Sequence, residues 1–138
     1  MNWSYVLTSI EGRISRQPFW IAMVILFGIE IAASYAVGER WSSIVSLLFA
    51  YPEFAVLAKR GHDRNAPTWI AAVFIAGAVV LDLMVLLDLV GPLDQPSTLF
   101  YVFLVPLGIV AIIILIDFGF RRGTVGENRF GPDPLGAQ

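Results

Sequence analysis

The chain of 138 residues contains no cysteine and a single histidine, His62. Without cysteine there is no disulfide, no thiolate metal site and no cysteine nucleophile. One histidine also leaves a zinc site short of its usual ligands. We therefore expect neither a metal nor another cofactor.

Charge is scarce as well. Charged residues make up 14% of the chain, against roughly 25% in an ordinary soluble domain. The 9 basic and 11 acidic residues give a net charge of −2, whereas a nucleic-acid binder needs a concentrated basic face. We expect no nucleic-acid partner.

Apolar residues, in contrast, are abundant. They form 57% of the chain, and the mean hydropathy is +0.75. Nearly uncharged runs fall at about 18–37, 41–58, 68–90 and 98–118, and a helix needs about 20 residues to cross a hydrocarbon core. The alternating pattern of a membrane barrel is absent. The sequence therefore predicts one all-α domain over 1–138, an integral membrane bundle of four helices.

The four runs differ in strength. The fourth holds fourteen Leu, Ile, Val or Phe residues between Leu99 and Ile116 and no charge, so it is expected to insert unaided. The second carries Pro52 and Glu53, and an acid near mid-span costs about 2.5–3.5 kcal/mol. We expect it to insert as a hairpin with the first run, with a buried re-entrant segment as the alternative.

Basic residues predict the orientation of the spans. Eight of the nine flank the chain ends or the second loop, and only Arg40 lies in the first loop. Because positively charged short loops stay in the cytoplasm, both termini are predicted to be cytoplasmic, in a bacterial inner membrane. The eight residues are Arg13, Arg16, Lys59, Arg60, Arg64, Arg121, Arg122 and Arg129.

The two ends of the chain have their own patterns. Trp3, Val6, Leu7 and Ile10 recur at helical spacing before Gly12, which predicts a short helix in the membrane interface ending near that glycine. A frayed terminus is the alternative. The tail is rich in glycine and proline and is predicted to form turns.

Three motifs lie on the predicted cytoplasmic side. They are G-R-x-x-R-x-x-F-W at 12–20, K-R-x-H-D-R at 59–64 followed by Trp69, and G-x-x-G-x-N-x-F-G-P-x-P at 123–134. In this order they resemble the family known as domain of unknown function 805, over nearly the whole chain. The resemblance implies a small bacterial inner-membrane protein without an assigned activity. Gly61 and residues 65–68 depart from the family's usual pattern.

The motifs also suggest a ligand- or partner-binding face. Arginines beside a membrane gain energy near anionic lipid. Glycine clusters such as that around Gly123 and Gly126 most often form simple turns, with a phosphate nest as the alternative. Catalysis by His62 lacks an accompanying nucleophile or phosphate loop, so Asp63 is expected to pair with a base and His62 with backbone or tail. The candidate face comprises Arg13, Arg16, Arg60, His62, Asp63, Arg64, Asn128 and Arg129.

Acidic residues inside the spans form a second candidate site. Asp117 precedes Arg121 by one helical turn, Asp88 lies near the outer end, and Glu53 shares a helical face with Arg60, so each has a predicted partner or access to water. Glu30 and Asp82 have none at their depth and are predicted to share a proton or hydrogen-bond across the bundle.

These observations rank three functions. The first is a non-enzymatic accessory or scaffold protein whose cytoplasmic face binds anionic lipid headgroups or a partner protein. The second is a small, oligomeric proton-linked transporter or channel subunit that uses Glu30, Glu53 and Asp82. A lipid-modifying enzyme is third.

Overall fold

A computed structural model describes residues 2–92 and 94–136. Within them the chain is helical, and four of its helices are long and apolar enough to cross a membrane. The predicted all-α, four-span architecture is confirmed. The helices are α1 Trp3–Thr8, α2 Arg16–Val37, α3 Glu39–Asp63, α4 Thr68–Leu86 and α5 Thr98–Ile114, which continues as a π-helical turn at Leu115–Phe120.

Helix α3 corresponds to the ambiguous second apolar run. It is continuous through Pro52 for 25 residues, which corresponds to about 37 Å. That length is sufficient to cross a bilayer core, which favours a full span over the re-entrant alternative. The reversal from α2 takes place at Gly38 alone, with φ at +81°, a conformation open chiefly to glycine.

Glycine often follows the last residue of a helix, but Gly61 does not end α3. The helix runs on to Asp63. A Cβ at position 61 would lie 3.1 Å from Cζ of Phe118, so Gly61 makes room for that ring and does not terminate the helix. The chain turns afterwards at Asn65, whose φ is +60°, and α4 begins at Thr68.

The predicted N-terminal helix is present as α1, but it ends at Thr8, well before Gly12. Its carbonyl end is satisfied by the chain's only lysine, because the Lys59 ammonium donates to the carbonyls of Tyr5, Val6 and Ser9. A cation is favourable at a helix C-terminus. Lys59 therefore caps the carboxyl end of α1, and Gly12 is not required to end this helix.

Helix α3 is the centre of the bundle and packs against α1, α2 and α4. Helix α5 packs along α4, and its π-helical turn contacts α2 and α3. Only 6% of the most apolar stretch of α5 and that turn is buried within the protein, so the rest of this span is left to face lipid. The buried core lies near one end and includes Phe19, Ala22, Val56, Leu57 and Phe118.

The tail after the π-helical turn forms turns, as predicted, with an isolated bridge between Asn128 and Gly131. Asp133 organises it by accepting hydrogen bonds from the amides of Leu135 and Gly126. These bonds hold the pKa of the Asp133 carboxyl below its usual value. The carboxylate is thereby stabilised in the charged form that pins the turn.

Helices α4 and α5 meet closely at Gly77, which provides a test of their packing. A Cβ there would lie 2.8 Å from Cδ1 of Leu107. We expect Gly77→Leu to lower the free energy of unfolding by about 1–3 kcal/mol through overpacking, measured by unfolding in detergent micelles. Gly108→Leu is the matched control, because a Cβ at Gly108 has nothing within 4 Å. Equal losses in both variants would contradict this packing.

Candidate functional site

Three distant segments meet at one end of the bundle, which we call the basic end: residues 11–16, 59–68 and 117–136. At its centre lies Asp63, 3% exposed. Its Oδ1 accepts hydrogen bonds from Nε and Nη2 of Arg13 at 3.1 and 2.9 Å, and its Oδ2 accepts from Nη1 of Arg60. One carboxylate therefore bridges two buried guanidinium groups, an arrangement we call the Asp63 network.

Arg13 uses its other donors to hold the tail. Nη1 donates to the carbonyls of Gly126 and Gly131 at 2.7 and 3.2 Å, and Nη2 donates to the Thr124 carbonyl at 2.6 Å. The planar guanidinium matches several acceptors at once because its donors point in fixed directions. Arg13 therefore ties the segment before α2 to the tail.

Arg60, 1% exposed, holds the end of the last span. Its Nε donates to the Phe118 carbonyl, and Nη2 donates to the Arg121 carbonyl at 2.6 Å. Two guanidinium groups face one carboxylate, and these carbonyls offset the surplus positive charge. They belong to the carboxyl end of a helix, where a cation is favourable.

Position 123 requires glycine because of the same network. A Cβ on Gly123 would lie 2.0 Å from Oδ2 of Asp63. Next to it, the Thr124 amide donates to the Asp63 carbonyl at 2.7 Å. The tail backbone thus packs directly on the buried carboxylate.

His62 is buried beside the network, at 4% exposure. Nδ1 lies 2.9 Å from the Gly12 carbonyl, and Nε2 lies 2.7 Å from Oγ1 of Thr68. Because a carbonyl only accepts, Nδ1 donates and Nε2 of the neutral ring accepts from the threonine. The imidazole ring also stacks on the Phe130 ring, with the two ring centroids 3.8 Å apart. The expected pairing of Asp63 with basic neighbours, and of His62 with backbone and tail, is confirmed.

The rest of the candidate face is also joined to the tail or the last span. Asn128 donates to the His62 carbonyl, and Arg129 to the Asn65 carbonyl. Arg64 donates to Asp117, which also pairs with Arg121 at 3.1 Å, one turn further along, as predicted. All eight predicted residues lie at the basic end: Arg13, Arg16, Arg60, His62, Asp63, Arg64, Asn128 and Arg129.

The face divides into a buried and an exposed set. Arg13, Arg60, His62 and Asp63 are buried, and their polar atoms are occupied within the protein. Arginines on the rim remain exposed, and Arg121 has 64% of its side chain accessible. The exposed arginines of the basic end are Arg16, Arg121, Arg122 and Arg129.

The glycines of the tail form turns, and the nest alternative is wrong. The Gly126 amide donates to Oδ2 of Asp133 at 3.0 Å, and the space beside Gly123 is filled by Asp63. A carboxylate of the tail itself thus takes the amide that a phosphate nest would use.

Sequence reasoning left out Lys59, Gly123 and Phe130 as determinants of this end. Lys59 was counted only for its charge, although it is completely buried. A strongly basic residue inside an apolar helix is a signal of an internal partner. Neither the close approach at Gly123 nor the stacking of Phe130 has a signature in one sequence.

Glu30, Glu53 and Asp82 form a second group, the acid cluster, on α2, α3 and α4. Glu30 and Asp82 each lie about 21 Å along their helices from the basic end. Glu53 lies near enough to Glu30 and Asp82, and Glu30 near enough to Asp82, for their ionised forms to repel each other. The cluster therefore brings together three carboxyl groups from three helices at similar depth.

The expected pairing of Glu53 with a basic side chain is wrong. Arg60 turns its donors away to Asp63 and to backbone carbonyls. Oε1 of Glu53 and Oε1 of Glu30 are buried and without a hydrogen-bond partner. Asp88, in contrast, lies at the far end with 70% of its side chain accessible, as predicted. Across residues 2–92 and 94–136, no three His, Asp or Glu side chains are grouped as a metal site requires.

The Asp63 network predicts a large penalty for removing its one negative charge. Asp63→Asn leaves two buried guanidinium groups without their carboxylate, and breaking a buried pair costs about 3–5 kcal/mol. We expect that loss in the free energy of unfolding in mixed micelles. Asp117→Asn is the matched control, because its ion pairs are partly exposed and are worth about 1 kcal/mol or less. A loss in Asp63→Asn no larger than the control would contradict the network's role.

Two known proteins resemble this chain over most of its length, and one of them is named as an inner membrane protein. "Uncharacterized protein YiiR" of Escherichia coli K12 is 29% identical over 135 residues, covering 92% of this chain and 86% of that protein. "Inner membrane protein YhaH" of the same organism is 26% identical over 134 residues, covering 90% and 85%. No solved structure matches the chain.

The match to a described family spans almost the whole sequence. Residues 7–132 fit the family described as "Protein of unknown function (DUF805)", and this range includes all four spans, the first two segments of the basic end and most of the third. The chain therefore belongs to the DUF805 family, as a multi-pass membrane protein.

Proposed function

We propose that this protein is a non-enzymatic accessory or scaffold protein of the bacterial inner membrane, with its basic end in the cytoplasm, where exposed arginines bind anionic phospholipid headgroups. The observation that carries the proposal is the division of the basic end. Its buried cations are neutralised internally, while Arg16, Arg121, Arg122 and Arg129 ring the surface.

The position of these arginines favours lipid as the ligand. Phe120, 62% exposed, and Trp20 lie beside them, with ring centroids 5.4 Å apart. Aromatic side chains of this kind mark the membrane interface. Arg16 and Arg122 line one small pocket with Ser15, and the carboxylates of Asp63 and Asp133 line it as well. Asp63 is already paired with Arg13 and Arg60, so the two exposed arginines outnumber the one remaining acid, Asp133.

The cytoplasmic orientation is supported by charge. Eight of nine basic residues belong to the basic end, and such loops are retained in the cytoplasm. The inner leaflet is anionic, so this orientation places the exposed arginines beside a surface of opposite charge.

The geometry of His62 supports a non-enzymatic role. Both ring nitrogens are hydrogen-bonded, one ring face is stacked on Phe130, and the side chain is buried. A general acid or base must reach a substrate proton. His62 is better suited to joining Gly12, Thr68 and the tail.

Headgroup binding predicts a loss of anionic lipid when two rim arginines are neutralised. Each juxtamembrane arginine contributes about 1 kcal/mol near an anionic surface, so Arg16→Gln with Arg122→Gln weakens binding about thirtyfold. The measurement is the number of phosphatidylglycerol molecules retained by native mass spectrometry after reconstitution in equal phosphatidylglycerol and phosphatidylcholine.

The matched control is Arg40→Gln, because Arg40 is an exposed arginine at the opposite end of the bundle. It is expected to leave retention unchanged. Equal retention of the two lipids by the parent protein would overturn the proposal, and so would equal losses in the two variants.

A second candidate function rests on the acid cluster: a small proton-linked transporter or channel subunit. Three carboxyl groups interact across α2, α3 and α4 with two of their oxygens buried and unpartnered. Ser46 is the polar side chain of α3 that interacts with Glu30. Ionisable groups within spans are costly and mark ion or proton pathways when they serve a function.

Proton movement would distinguish this candidate. If the protein conducts protons, vesicles that contain it and a pH-sensitive dye acidify inside when an inside-negative membrane potential is imposed. Glu30→Gln or Asp82→Asn is then expected to abolish this acidification. Asp88→Asn is the control, because Asp88 is exposed at the far end. No proton flux in the parent protein would remove the transport candidate and leave the lipid proposal intact.

A further inference from the structure

An apolar cleft opens between α2 and α5. Among the described residues these two helices do not pack against each other, since α5 rests on α4 and only its π-helical turn contacts α2. The cleft has a volume of about 230 Å³. Its lining comes from α2, α3, α4 and the last span: Phe19, Met23, Phe27, Leu57, Phe74, Ala111, Ile112, Ile114 and Leu115.

The size and lining of the cleft suit a hydrocarbon chain. All lining side chains are apolar. An apolar cavity of about 150 Å³ already holds benzene, so this cleft has room for several methylene groups. An empty cleft would forfeit the dispersion contacts of its walls.

At the basic end, the π-helical turn packs against α2. Trp20 donates to the Gly119 carbonyl at 3.0 Å, and a Cβ on Gly119 would lie 2.7 Å from the Trp20 ring. Arg16 donates to the Phe120 carbonyl at 3.2 Å. The π-helical turn is thus drawn onto α2 at the basic end, whereas further along the two helices separate.

Helical spacing aligns the cleft with the exposed arginines. Arg16, Phe19, Met23 and Phe27 follow one another at intervals of three, four and four residues, so they share one face of α2. The positive charge of Arg16 therefore lies directly above the apolar wall of the cleft. Arg122 lines the same pocket as Arg16, and it comes directly after the last span, which forms the other wall of the cleft.

We propose that the cleft between α2 and α5 holds one acyl chain of an anionic phospholipid whose phosphate lies over Arg16 and Arg122. This rests on the proposed headgroup binding and deepens it, since it assigns the bound lipid a site. Charge complementarity selects the lipid: positive side chains lie at the headgroup level, and an uncharged apolar slot continues along the same helical face.

The test uses phosphatidylglycerol with a photoactivatable diazirine midway along one acyl chain, in vesicles with the intact protein. After illumination, labelled peptides are mapped by mass spectrometry. Labelling at 19–27 and 111–115 is expected to exceed severalfold the labelling at 50–54, which lines the crevice between α3 and α4 and not the cleft. Phosphatidylcholine with the same diazirine is expected to lack this preference.

Substitutions that fill the cleft with a larger side chain provide a second test, together with a matched control outside the cleft. Ala111→Phe is expected to reduce cleft labelling severalfold, while Ala72→Phe, in the crevice between α3 and α4, leaves it unchanged. Phe27→Trp fills the cleft from the opposite wall at a side chain that is 47% exposed, so it serves if Ala111→Phe fails to fold.

The outcomes separate the cleft from the proposed function. Uniform labelling around the bundle, or equal labelling by the two lipids, overturns the cleft site. Undiminished labelling in both filled variants does the same, even where Arg16→Gln with Arg122→Gln still releases phosphatidylglycerol. If the parent protein retains phosphatidylglycerol no better than phosphatidylcholine, the proposed headgroup binding itself is overturned.

Discussion

The organisation of this protein depends on one buried carboxylate placed between two buried guanidinium groups. Asp63 lies at the end of the central helix and receives Arg13 from the segment before the first span and Arg60 from its own helix. A charge of either sign alone would be costly at this burial. The other guanidinium donors of Arg13 and Arg60 bond to carbonyls of the tail and of the end of the last span. The same ion pairs therefore also fix the segment before α2 and the tail against α3.

The same constraint explains the surrounding residue types. Gly123 is small because the tail backbone approaches the carboxylate, and Gly61 is small because Phe118 packs on α3. His62 joins Gly12 to Thr68 and carries Phe130 on its face. The loop that contains His62 and Asp63 therefore forms a structural junction between α3, α4, the segment before α2 and the tail. The proposed headgroup binding rests instead on the arginines that the junction leaves exposed.

The bundle is tight at this end and loose elsewhere. The core and the buried polar groups concentrate at the basic end, whereas α5 leans on α4 alone and leaves a cleft beside α2. A membrane protein tolerates such a gap because lipid chains fill it as well as side chains would. The acid cluster lies in the less tightly held part, where its carboxyl groups have one another as neighbours.

Sequence alone determined the number of spans, the segregation of charge and the short first helix, because hydropathy, basic residues and helical spacing are local properties of a chain. It also anticipated the Asp117–Arg121 pair, which is one helical turn long. Tertiary structure alone decided which charged residues are buried and which remain exposed. Arg13 and Arg16 look alike in sequence, but only Arg13 meets Asp63, 50 residues away. Long-range pairing of this kind depends on how helices pack, and no local pattern encodes it.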